Sequence, residues 1–181
     1  MARPFKELTD YLVSLGTETV PHTGTYFLSH LIGVYRDLKE WGCPEHLYIA
    51  GLFHSIYGTE AFQRFSLPVD KRDEVRALIG ERAERLTYIN CALTRESLDA
   101  SLAAGGPARL WDRFLDAPLE VTDEEFTELI TMHLCDRLEQ VERSGTWHLR
   151  RPAWEAMARR LGGVALTSWE RVYAREPAAV S

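Results

Sequence analysis

The stretch Leu52-Phe53-His54-Ser55-Ile56-Tyr57-Gly58-Thr59-Glu60 ends an apolar run with a histidine, a hydroxyl, a tyrosine, a glycine break and a carboxylate. Pro44 opens the helix that leads into it, predicted over Pro44 to Ile56. Leu47, Ala50, Gly51, Phe53 and His54 make that helix apolar almost all round. A helix with no polar face is central in its domain. The segment therefore predicts an all-α fold in which one buried helix delivers polar groups to its C-terminal end.

Helical periodicity continues on both sides. Leu8, Tyr11, Leu12 and Leu15 share one face of a helix over Phe5 to Leu15. Thr17 to Gly24 is polar and broken by Pro21 and Gly24, so it reads as a loop. Phe27, Leu31, Val34, Tyr35 and Leu38 mark the buried stripe of a helix over Thr25 to Trp41, and Gly42 ends it. Downstream, Thr59 to Phe62 predicts a short turn or helix. Helices follow over Asp70 to Ile79 and Glu81 to Ala92. Thr94 to Ser97 reads as irregular, Ser101 to Pro107 as the most flexible segment, and Leu110 to Leu115 as one or two turns. Thr122 and Glu125 form a capping box that opens a long helix to about Glu142. Pro152 to Leu161 and Ala165 to Tyr173 read as amphipathic helices, before a short disordered C-terminus. No segment alternates in a way that predicts a strand. The expected organisation is one helical bundle over residues 1–150, with a C-terminal helical extension over 151–181 packed on it.

The chain of 181 residues is long enough for one well-packed core. Its net charge of −6, with acidic and basic residues interspersed, argues against a nucleic-acid partner, which needs a clustered Lys/Arg excess. No apolar run is long enough to span a bilayer, and Met1 to Glu7 holds no apolar signal segment. Cys43, Cys91 and Cys135 have neither the even count of a disulfide framework nor zinc-ribbon spacing, so reduced thiols and a cytoplasmic location are expected. The expected partner is a small-molecule substrate. Four of the tryptophans, Trp111, Trp147, Trp154 and Trp169, suit core packing, an apolar pocket, or a homodimer face on the C-terminal helices.

The residues with chemical potential lie inside helices: His30, then His54 with Ser55, then Asp136 within Met132-His-Leu-Cys-Asp-Arg-Leu-Glu139. Two imidazoles and a carboxylate on rigid helices suit Fe, Mn, Zn, Co or Ni. Singly, each has an ordinary alternative: a buried histidine satisfied by its core, or Asp136 paired with Arg137 or Arg72. Tyr57 and Glu60, three apart after the glycine break, are candidate catalytic groups facing the same pocket, and His22 is a third on a loop able to fold over it. Glu60 alternatively serves as a carboxylate at a helix start. His133 shares a helix face with Asp136 and is either a ligand partner or a core histidine.

Ser29-His30-Leu31-Ile32-Gly33-Val34, then Ala50-Gly51-Leu52-Phe53-His54-Ser55-Ile56, then Cys135-Asp136-Arg137-Leu138 resemble, in order and spacing, the motifs of the HD-domain superfamily of all-α metal-dependent proteins. The resemblance covers roughly residues 22 to 142. The run from His54 to Glu60, with His22 and His30 upstream, is also similar to an HD-like branch known only as a domain of unknown function. The resemblance implies a helical bundle with His30, His54 and Asp136 as metal ligands. Ser55 stands where the superfamily has aspartate, and no histidine lies between His54 and His133. The pair of intervening ligands that builds a dinuclear centre in many HD enzymes is therefore missing.

Three readings follow. In the first, His30, His54 and Asp136 hold one metal, with Glu60 or His22 completing the shell, for hydrolysis of a phosphate or related ester or for oxygenase chemistry. In the second, the site is metal-free, and His30, His54, Tyr57, Glu60 and Asp136 serve acid–base chemistry in a lyase, isomerase or cyclase. In the third, a non-catalytic protein binds a ligand, and the polar residues form a buried hydrogen-bond network.

Overall fold

The computed structural model describes residues 3–178. The core is built on four helices: α2 (Phe27–Glu40), α3 (Glu45–Phe53), α5 (Glu81–Ala92) and α7 (Asp123–Ser144). Around them lie α1 (Phe5–Ser14), α4 (Arg72–Ile79), α6 (Arg95–Ala104), α8 (Arg151–Leu161) and α9 (Gly163–Tyr173). The described residues are mostly helical, as the all-α expectation requires. The C-terminal end expected to be disordered falls at residues 179–181, outside the described residues.

Helix α3 is the centre. Leu47, Ile49, Ala50, Leu52 and Phe53 are all buried, and α2, α5 and α7 surround them. A Cβ on Gly51 would lie 2.5 Å from Leu38 Cδ1 and 3.2 Å from Val34 Cγ1, so the missing side chain lets α2 and α3 meet closely. The turn between the two is made by Gly42, whose φ of +76° a residue with a side chain rarely adopts. Helix α7 starts from the capping box foreseen in the sequence: Thr122 Oγ1 accepts from Glu125 N at 3.1 Å, and Glu125 Oε2 accepts from Thr122 N at 2.8 Å.

Three local expectations are corrected. Residues 94–104 are not irregular and then flexible; they form α6, which Thr94 caps by accepting from Ser97 N. Its apolar pattern is sparse, with Leu98 buried and Leu102 half-buried, because it lies over the edge of the bundle against α8. Leu110 to Leu115 is not a helical turn. Strand β3 (Leu110–Asp112) pairs antiparallel with β4 (Ala117–Leu119). The loop before α2 also holds a small hairpin, β1 (Pro21–His22) with β2 (Thr25–Tyr26), joined through Thr23 and Gly24, both at positive φ. Two- and three-residue strands are too short to show alternation, and paired positive φ marks the two-residue turns that fit strand twist. Thr59 to Phe62 is a turn, closed by Thr59 N to Phe62 O at 2.9 Å.

The C-terminal helices belong to the same core. Trp154, Met157, Ala158, Val172 and Tyr173 are buried, and Trp147 packs edge-on against Tyr173. Trp147 and Trp154 therefore pack inside the chain rather than forming an outer face. No described helix is long and apolar enough to cross a membrane.

Removing the α7 cap is expected to have a plain energetic signature. Thr122→Ala should lower unfolding free energy by about 1 kcal/mol. In urea titration the midpoint should fall while the denaturant slope stays constant; an unchanged midpoint would rule out this role for Thr122.

Candidate metal centre

Three helices bring His30, His54 and Asp136 to one point. His30 lies on the inner face of α2, His54 is the residue that closes α3, and Asp136 is midway along α7. His30 Nε2 stands 3.0 Å from Asp136 Oδ1, His54 Nε2 stands 3.5 Å from the same oxygen, and the two Nε2 atoms are 3.3 Å apart. Ligand atoms about 2.1 Å from a common ion stand roughly 3.0 Å apart at right angles and roughly 3.4 Å apart at tetrahedral angles. The triangle fits that spacing, so these three residues could hold one metal ion. Neither His22 nor Glu60 contributes a ligand atom to this group.

The surrounding contacts fix which nitrogen faces the site. His30 Nδ1 donates to Glu139 Oε2, and His54 Nδ1 donates to the carbonyl of Gly51 at 2.8 Å. Both partners are acceptors, so both protons sit on Nδ1 and both Nε2 atoms point at Asp136. A carboxylate behind a metal-binding imidazole sets its tautomer and raises its basicity. Glu139 is held in turn by Arg143, Nη2 to Oε2 at 2.7 Å. Asp136 Oδ1 also accepts from Gln140 Nε2 at 2.8 Å. A Cβ on Gly33 would come within 2.7 Å of Glu139 Oε1, so glycine there leaves room for the carboxylate that orients His30.

Burial by itself would strip the charge from His30. The hydrogen bonds and fields of Asp136 and Glu139 overcome it and raise its pKa to about 9. Burial would likewise raise Asp136, but the fields and hydrogen bonds of His54 and His30 hold its carboxyl well below the ordinary range. Without an ion, a proton on His30 takes the cation's place. Both imidazoles are sealed from solvent while the Asp136 side chain keeps 20% exposure, so the approach to the site is along the carboxylate.

The hairpin β1–β2 lies over the site. The His22 ring stacks on His30 with centroids 4.2 Å apart and meets Phe62 edge-on at 4.7 Å. Burial and the field of His30 lower His22 to about 4, so it is a neutral imidazole, and its buried Nδ1 has no partner among the described residues. Thr23 Oγ1 donates to Gln140 Oε1 at 3.1 Å, and Arg143 Nε donates to the Thr23 carbonyl at 3.2 Å. Two residues of α7 thus tie the hairpin down and also contact Asp136 and Glu139.

Other sequence candidates lie elsewhere. The Tyr57 hydroxyl donates to Glu84 at 3.1 Å, in a buried cluster with Arg72 and Arg76, and is not part of the triad. Its position is corrected from pocket wall to structural network: the tight turn at Gly58 carries residues 57 and 60 in different directions. Glu60 accepts from the backbone N–H of Arg95 at 2.8 Å, which places its charge at the start of α6. Ser55 is buried beside His54. Asp136 pairs with neither Arg137, which binds Thr146 and Tyr173, nor Arg72. His133 is linked to the site at one remove: its Nδ1 bonds Asn90 Oδ1 at 3.2 Å, and Asn90 Nδ2 donates to the His54 carbonyl at 2.8 Å. Arg150, paired with Asp99, lies 3.4 Å from His133 Nε2. Burial and the charge of Arg150 lower His133 to about 3, keeping it neutral.

Glu139, Gln140, Arg143 and Asn90 have no role in the expectations drawn from the sequence. Glu139 had one legible signal, its position three residues after Asp136 on the same helix face. The others depend on contacts between distant segments.

Residues 11–95 match a protein-family model described as Domain of unknown function (DUF6817). The matched segment, just under half of the chain, runs from α1 to the first residue of α6. It contains His22, His30, His54 and Glu60 but ends well before Asp136. No curated protein and no solved structure matches the chain.

The raised His30 pKa has a stability consequence with a definite sign. A group raised from 6.5 to about 9 contributes stability that is full below about pH 6.5 and is lost as pH rises through about 9. In chelator-treated protein, the unfolding free energy should fall by roughly 3 kcal/mol between pH 6.5 and 9.5. Glu139→Gln should shrink that fall. A flat wild-type profile across this window would remove the proposed ion pair.

Proposed function

We propose that the protein is an HD-domain-like enzyme in which His30, His54 and Asp136 hold one divalent transition-metal ion for hydrolysis of a phosphate or related ester of a small molecule. The observation that carries this reading is the convergence of two oriented Nε2 atoms and one carboxylate oxygen, 3.0 to 3.5 Å apart, from three separate helices. The order of these residues along the chain supports the HD-like assignment. An ion in this site supplies Lewis-acid chemistry, acidifying water and polarising an ester oxygen.

The chain's own residues do the rest. Glu139 and the Gly51 carbonyl keep both Nδ1 protons turned outward, so neither imidazole must reorient to bind. Gln140 steadies Asp136. Phe27 and Phe62 pack against His22, with Phe65 behind Phe27, and keep water from that side. The open edge at Asp136 admits the substrate. With only three protein ligands, coordination positions remain for water and substrate, the condition that separates a catalytic from a closed structural site. Hydrolysis is preferred to the two-metal oxygenation of HD-fold oxygenases because Ser55 and the absent intervening histidines leave, among the described residues, one ligand group only.

A second reading rests on the charge of His30. If no ion binds, His30 at a pKa of about 9 is a proton donor rather than a base at neutral pH, beside an ionised Asp136. The triad would then serve acid catalysis in a metal-free lyase or isomerase.

Elemental analysis of protein purified without chelator separates the two. The expected result is about one transition-metal ion per chain, lost in His54→Ala and Asp136→Ala variants that remain folded by circular dichroism. Metal affinity should rise about tenfold per pH unit below pH 9, because the ion must displace the His30 proton. A folded protein that takes up no metal when Zn, Mn, Fe, Co or Ni is supplied would sink the metal-dependent reading.

A further inference from the structure

We propose that the guanidinium of Arg95 is an oxyanion-binding group that holds a phosphate or carboxylate of the substrate beside the His30–His54–Asp136 triad. Assigning that anion to a substrate rests on the metal-dependent reading above; the binding of the anion does not.

Arg95 is the first residue of α6, half-buried, and its side chain forms no hydrogen bond or ion pair among the described residues. That is unusual for a guanidinium withdrawn from water, because burying a charge is costly unless it is paired. Burial and the like charge of Arg150 both act against it, and Asp136, Glu60 and Asp99 are the carboxylates whose fields reach it. Each of those three has another partner. Asp99 is bound by Arg150, Glu60 accepts the backbone N–H of Arg95, and Asp136 is shared by His30, His54 and Gln140. The chain therefore places a cation within the field of the Asp136 carboxylate and, among the described residues, gives it no partner of its own.

A second cation reinforces the first. Arg150 reaches His133 Nε2, and His133 connects through Asn90 to the carbonyl of His54. The charges of Arg95 and Arg150 both reach His133, and that of Arg95 reaches Asp136, so the two cations share the neighbourhood of the triad. Arginine's planar fork matches two oxygens of a phosphate or carboxylate at once. An ester with such a group could span from the exposed edge of Asp136 to Arg95.

Isothermal titration with inorganic phosphate and, separately, acetate tests this in chelator-treated and Mn²⁺-loaded protein. Arg95→Ala should weaken binding of the favoured anion roughly 10- to 100-fold, the loss of one charged hydrogen-bonding partner. Arg95→Lys should recover part of it. Tighter phosphate binding indicates a phosphoryl substrate; tighter acetate binding indicates a carboxylate. Equal binding by wild type and Arg95→Ala, or no binding of either anion by wild type, overturns the proposal. Mn²⁺ uptake is measured alongside and should be unchanged in Arg95→Ala. Arg95-dependent anion binding in protein that takes up no Mn²⁺ would sustain the oxyanion site while the metal-dependent reading failed.

Discussion

The site depends on one charge arrangement: His30 held between Asp136 and Glu139, two carboxylates one turn apart on α7. Neither carboxylate is sensible without a cation, and the imidazole would not carry charge in this core without them. The arrangement sets what surrounds it. Arg143 balances Glu139, Gln140 balances Asp136, and both reach Thr23 in the hairpin. Position 33 is glycine where α2 faces Glu139. The close packing of α2 on α7 thus serves both the hydrophobic core and the electrostatics.

Two other polar clusters have different jobs. Glu84 is almost fully buried and is matched by Arg72, Arg76 and Tyr57, which joins α4 to α5 and to the turn after α3. A buried carboxylate matched on all sides is a structural joint. The His30 cluster differs because its donors converge on one small space and one edge stays open to solvent. Arg95 differs in the opposite sense, as a cation whose carboxylate neighbours are already taken.

The legible parts of the sequence were the long, strongly patterned ones. α2, α3, α5 and α7 announce themselves through apolar stripes, Gly42 and Pro44 at a junction, and the Thr122–Glu125 capping box. Because those helices carry His30, His54 and Asp136, the convergence of the triad could be anticipated. Three kinds of feature could not. Short strands such as Pro21–His22 have no period to detect. Helix α6 has few apolar positions because its packing partner, α8, lies some fifty residues further along the chain. The directions of Tyr57 and Glu60 were set by a single glycine turn: spacing placed them together, and the backbone at Gly58, with φ of +72°, separated them.

The triad also has a topological meaning. His30 and Glu139 are 109 residues apart in sequence, with His54 between them, and no disulfide spans that distance, since all three cysteines are free. An ion held by α2, the end of α3 and α7 would be a removable cross-link. It would tie together segments far apart in the chain, and because the unfolded chain holds no such site, its binding free energy would add to the stability of the fold. Through Gln140 and Arg143 the same cross-link would reach the hairpin carrying His22. Loading the site would then tighten the segment that covers it, so that filling and closing become a single event.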